Sequence, residues 1–105
     1  MDPRSAHGKR DVLQIIDVRE HGEWKAGHID GAQHIPMGEI PARLDEIDDD
    51  KPLVAICRSG SRSAQVTQFL RDKGFDIDNL DGGMKVWAKA GLPIAGPGGR
   101  AGRVV

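Results

Sequence analysis

Apolar and polar positions along this chain follow two periods. Residues 11–18, Asp-Val-Leu-Gln-Ile-Ile-Asp-Val, are β-branched and nearly continuous in apolar character between charges, which predicts a strand buried on both faces. Residues 52–57, Pro-Leu-Val-Ala-Ile-Cys, repeat the pattern with proline at the entry, where a strand tolerates it. Weaker strands are expected at residues 32–35, closed by Pro36, and 75–80, closed by Asp81-Gly82-Gly83. A helical period governs residues 63–73, with Val66, Phe69 and Leu70 on one face and Gly74 as the stop. Ile40, Leu44 and Ile47 mark a second helix over residues 41–47, with Pro41 in its first turn. Met84 and Trp87 face inward on a last helix ended by Gly91 and Pro93, and residues 20–25 form one short turn ending at Gly27.

Strands alternating with helices predict an α/β layer architecture around a mostly parallel sheet, in which ligands sit at the carboxyl ends of strands. The domain is expected over residues 11–95. Residues 1–10, polar and punctuated by Pro3 and Gly8, read as a flexible leader, and residues 96–105, rich in glycine, as a flexible tail.

At 105 residues the chain holds one domain, and its 15 Lys+Arg against 16 Asp+Glu give a net charge of −1 without a basic stripe. This argues against nucleic acid or an anionic membrane as partner. Apolar runs are as short as residues 53–56, so neither a spanning helix nor a signal peptide is expected, and the cytoplasm is the expected location. A single cysteine, Cys57, excludes an internal disulfide and a cysteine-ligated metal, and the four histidines lack the HExxH spacing. We expect neither metal nor cofactor, and a monomer.

Cys57-Arg58-Ser59-Gly60-Ser61-Arg62-Ser63 leaves the most apolar strand and enters the best helix. Backbone N–H groups of such a small-residue loop point inward as a nest, and the helix dipole adds partial positive charge. Arg58 and Arg62 add two cations in a stretch without an acid between Leu53 and Arg71. A thiol at the mouth of this cradle is favoured as thiolate, the nucleophilic form. A small buried hydrophobe ending a strand is the bland alternative for Cys57. The coincidence of thiol, arginines and tight turn at a strand-to-helix switch favours chemistry.

That loop resembles the active-site loop of single-domain rhodaneses, the thiosulfate sulfurtransferases. Asp17-Val18-Arg19-Glu20, Trp24 with Gly27-His28-Ile29-Asp30-Gly31-Ala32, and His34-Ile35-Pro36 resemble the family's amino-terminal signature. Leu80-Asp81-Gly82-Gly83-Met84 with Trp87 resembles its carboxyl-terminal one, so the likeness covers residues 11–95. The resemblance implies a three-layer rhodanese fold, its central sheet flanked by helices. It implies that Cys57 takes a sulfane sulfur from a donor such as thiosulfate and passes it from a persulfide to cyanide or a thiol, either small or on a thioredoxin-like protein. No cofactor is implied. Substrate would be held by Arg58, Ser59, Gly60, Ser61, Arg62 and Ser63, while Asp17, Arg19 and His28 would be structural.

The chain departs from the family pattern at Trp24, where Phe or Tyr is commoner, and at Asp30, where Pro is commoner. Its ten-residue leader is too short for the strand and helix that usually come first, which implies a sheet without its first edge strand. Two other functions share these ingredients. A cysteine phosphatase or arsenate reductase resembles Cys-x5-Arg, but here Arg62 lies five residues after Cys57 and Ser63 six. A sulfur-relay or protein-binding module without turnover is the other. Asp48-Asp49-Asp50 reads as a solvated turn.

Overall fold

The computed structural model describes residues 1–105. Four parallel strands, β1 (Gln14–Asp17), β2 (Gln33–His34), β3 (Leu53–Ile56) and β4 (Ile77–Asn79), form one sheet in the order β2-β1-β3-β4. The sheet has no strand ahead of β1, and β2 and β4 are its edges. The strands are shorter than the apolar runs predict. At the start of the first run, for example, the N–H groups of Val12 and Leu13 both turn back to Lys9 O, and Val12 is exposed.

The period of two in β3 sorts its side chains into two cores. Leu53, Ala55 and Cys57 face a cluster with Ile16, Val18, Ile35, Val66 and Leu70, while Val54 and Ile56 face Ala6, Ile15, Leu80, Met84 and Trp87. Helix α3 (Ser61–Asp72), following the short helix α2 (His21–Ala26), covers the first face through Val66 and Leu70. Helix α4 (Gly83–Lys89) covers the second through Met84 and Trp87. Burial of each such side chain stabilises the fold by about 1.5–3 kcal/mol. The result is three layers, with every β3 residue buried.

Three elements differ from the pattern. The segment read as an α-helix from residue 41 is a 3₁₀ segment over Met37–Glu46, kinked at Arg43, because Pro41 lies inside it and supplies no N–H to an α-helical ladder. Residues 1–10, read as a flexible leader, contain the helix α1 (Pro3–Gly8). Asp2 caps it by accepting from Ser5 N at 2.9 Å, Pro3 stands in its first turn, and Ala6 is fully buried on the α4 side.

Residues 96–105, read as a flexible tail, run back across the molecule. His28 and Ala95 exchange backbone bonds of 2.9 and 2.8 Å, Gly102 N reaches Ile94 O at 2.8 Å, and Arg103 N reaches Ala26 O at 3.0 Å. The glycines here serve close packing. A Cβ on Gly27 would lie 2.5 Å from Arg103 N, and one on Gly102 would lie 2.5 Å from Ala95 O. No helix is long and apolar enough to cross a membrane.

Candidate active site

Cys57 follows the last residue of β3 and is fully buried on the α3 side of the sheet. The loop then turns at Gly60, whose φ of 107° is accessible to glycine and strained for other residues, and α3 begins at Ser61. This turn starts the helix two residues earlier than its apolar pattern predicts and folds its amino end onto the sulfur. Gly60 N donates to Sγ at 3.0 Å and the Ser63 hydroxyl at 3.2 Å. Burial pushes the Cys57 thiol up, but the Ser63 hydroxyl and the backbone N–H groups of Ser63, Gly60 and Ser59 outweigh it, and the thiol ionises below its usual range. The loop is therefore built to hold negative charge on sulfur. Ser59 and Ser61 are exposed beside it.

The first turn of α4, with Asn79 at the end of β4, supports the loop from behind. Met84 N donates to Cys57 O at 2.8 Å and Lys85 N to Arg58 O at 3.0 Å, while Asn79 Nδ2 donates to Gly60 O at 3.1 Å. These bonds require Gly83, which has a φ of 64° and whose Cβ would lie 2.5 Å from Cys57 O. Gly83→Ala is expected to lose roughly 2–5 kcal/mol, adding left-handed strain to a backbone clash. Urea unfolding measures the loss, and the displaced loop should also slow alkylation of Cys57. An unchanged urea midpoint would show that the turn relaxes freely.

The two loop arginines are held differently. Arg58 is exposed, and its Nε donates to Val105 O at 2.9 Å, so the last residues of the tail end at the cysteine loop. Arg62 makes a two-pronged pair with Glu23 of α2, at 2.7 and 2.9 Å. The hydrogen bonds from Arg62 pull the Glu23 carboxyl down to about 2 against a partial burial that raises it. The stability this pair contributes is fully present above the ordinary glutamate range and fades as pH falls from there toward 2.

Asp17 and Arg19 form a buried pair at the end of β1, and the Arg19 fork also donates to Gly27 O at 2.7 Å. The half-buried His28 places its Nδ1 2.9 Å from Trp24 O. The Trp24 indole stacks on the rings of His28 and His34 at centroid distances of 3.7 and 4.7 Å. This stack accounts for a tryptophan at that position, since the indole presents more surface than a phenyl ring. Trp87 is core, with Nε1 donating to Pro93 O. Asp48, Asp49 and Asp50 are exposed in a turn closed by Asp50 N on Asp48.

Reasoning from the sequence brought Cys57, Gly60 and Ser63 together and offered Gly82-Gly83 as either a close backbone approach to the cradle or a plain turn, of which the structure shows the first, but it missed Glu23 and Asn79. Glu23 carries only a local signal, the reciprocal cap it makes with Glu20 at the start of α2. Nothing in the sequence indicates a partner 39 residues away.

A parallel three-layer α/β domain with a cysteine loop between a central strand and a helix amino terminus is the class that this geometry defines. The chain matches the Rhodanese-like domain family over residues 4–90. It is 43% identical over 90 residues to a protein named sulfurtransferase from Allochromatium vinosum, covering 85% of this chain and 83% of that one. It is 37% identical over 79 residues to the thiosulfate sulfurtransferase GlpE of Shewanella oneidensis, covering 74% and 78%. Among solved structures, a rhodanese-related protein of Thermoplasma volcanium superposes with a TM-score of 0.88 at 28% identity, over 90% of this chain and 95% of that one. The chain belongs to the rhodanese-like domain family, and its relatives include proteins named as sulfurtransferases.

Proposed function

We propose that this protein is a sulfurtransferase that carries sulfane sulfur on Cys57. The observation that carries the reading is a lone thiol whose sulfur accepts hydrogen bonds from Gly60 N and Ser63 Oγ and whose ionisation is favoured by its loop. The Cys57 thiolate attacks the outer sulfur of thiosulfate or a related donor. A sulfur–sulfur bond forms at Cys57 as the donor's own sulfur–sulfur bond breaks, and sulfite leaves with the electron pair. Cyanide or a thiolate then attacks the outer sulfur of the persulfide, giving thiocyanate or a new persulfide and returning the Cys57 thiolate.

Ser59, Gly60 and Ser63 hold charge on the cysteine sulfur in both forms. Ser61, exposed at the first turn of α3, faces the approaching donor with Ser59. Arg58 meets the donor's anionic group once it exchanges its bond to Val105 O. Arg62 acts through its field while held by Glu23. We place the reaction in the cytoplasm and the protein as a monomer.

Cys-x4-Arg makes a loop one residue shorter than the phosphatase type, which suits a sulfur-bound sulfur better than a phosphoryl group. Incubation with thiosulfate should add one sulfur atom to Cys57 by mass spectrometry, and cyanide should remove it. Thiosulfate:cyanide turnover should exceed aryl-phosphate hydrolysis under the same conditions. Faster hydrolysis would replace this reading with a phosphatase, and a persulfide that forms without turning over would replace it with a sulfur-relay module.

A further inference from the structure

The sequence around Cys57 is strongly cationic, but the fold does not leave it so. Arg58 and Arg62 lie in a stretch with no acid of its own, and α2 supplies one from 39 residues away. The Glu23 carboxylate is fixed by two elements. Its Oε1 accepts from Arg62 Nη1 at 2.7 Å and from Glu20 N at 3.0 Å, while Oε2 accepts from Arg62 Nη2 at 2.9 Å. Both side chains are less than a third exposed, so solvent screens the pair only in part. The remaining charges near the pair are Glu20, which acts on Arg62, and Arg19, which acts on Glu23 and is itself matched by Asp17.

We propose that Glu23 is the specificity-determining residue of the cysteine loop. By matching Arg62 it leaves Arg58, bonded to Val105 O, as the one loop guanidinium without an acidic side-chain partner, and it thereby limits the site's preference for doubly charged over singly charged or neutral sulfur donors. Glu23 does not touch the reacting atoms. It acts through Arg62, whose charge is coupled to that of Cys57. Without it, neither loop guanidinium would face an acidic side chain, and the loop would bind a dianionic donor more tightly and hold a departing dianion such as sulfite. For its substrate class the proposal rests on the sulfurtransferase reading, but its charge effect is measurable without that reading.

The test compares alkylation of Cys57 by iodoacetate, an anion, and by iodoacetamide, which is neutral, in the full chain at low salt. Glu23→Gln should raise the iodoacetate-to-iodoacetamide rate ratio by about threefold or more, and added salt should erase the increase. The pH profile of the iodoacetamide reaction should move to lower pH. Glu23→Asp, which keeps the charge, should restore the unmodified ratio to within about twofold. Arg62→Gln, which leaves the carboxylate alone, should shift the ratio the opposite way.

In turnover, Glu23→Gln should lower the KM for thiosulfate by about threefold without raising kcat. Should Glu23→Gln lose its near-ultraviolet circular dichroism, Arg62→Gln decides. An unchanged ratio in whichever of these two variants remains folded overturns the proposal. If thiosulfate puts no sulfur on Cys57 of the unmodified protein, the sulfurtransferase reading falls, while the alkylation ratio still decides the charge role of Glu23.

Discussion

Cys57→Ser should abolish sulfur transfer, with thiosulfate:cyanide turnover falling by roughly four orders of magnitude or more. The chain has no other thiol, so no second sulfur can accept the transferred atom. A serine hydroxyl in the same place remains protonated at neutral pH and cannot form a persulfide. The loop should survive the change. A serine oxygen accepts from Gly60 N and Ser63 Oγ in place of sulfur, and the urea midpoint should move by no more than the equivalent of about 1 kcal/mol. Residual turnover near that of the unmodified protein would place the transferred sulfur elsewhere.

The largest loss of stability is expected from Arg19→Ala. The Arg19 side chain is 0% exposed and that of Asp17 1%. Nε donates to Oδ1 at 3.0 Å and Nη2 to Oδ2 at 2.8 Å, while Asp17 Oδ1 also accepts from Arg19 N at 3.1 Å. Removing the guanidinium strands a buried carboxylate and frees Gly27 O, for a cost of about 3–5 kcal/mol. In a domain of this size, that lowers the melting temperature by about 10 °C or more. Two controls separate charge from shape. Arg19→Lys, which cannot reproduce the fork, should recover only part of the loss. The double change Asp17→Asn with Arg19→Met should be milder than Arg19→Ala alone, because no charge is left unpaired. A cost near 1 kcal/mol for Arg19→Ala would mean that water reaches the pair.

Much of the interior follows from periodicity. Ile15, Ile16, Val54 and Ile56 are buried because their runs are apolar on both faces, and a strand with two buried faces needs helices on each. Val66 and Leu70 on α3, and Met84 and Trp87 on α4, supply those covers at helical spacing. The ends of the chain did not follow composition. Pro3 and the glycines at 96 and 102 carry the same signals in a loose segment as in a capped helix or a close backbone crossing. Whether they order depends on the surface that meets them, here α4 for Ala6 and the Gly27 backbone for Gly102.

That Cys57 stands at a strand-to-helix junction in a small-residue loop is legible from local patterns alone, the apolar run before it and the helical period after it. The charge that Cys57 experiences is set by contacts that form on folding. The acid that matches Arg62 arrives on α2, and Gly83, at the start of α4, lets that helix hold the loop. Electrostatic partners and close backbone contacts depend on distance in space, and the folded sheet brings together residues 23, 62 and 83 that no local pattern connects.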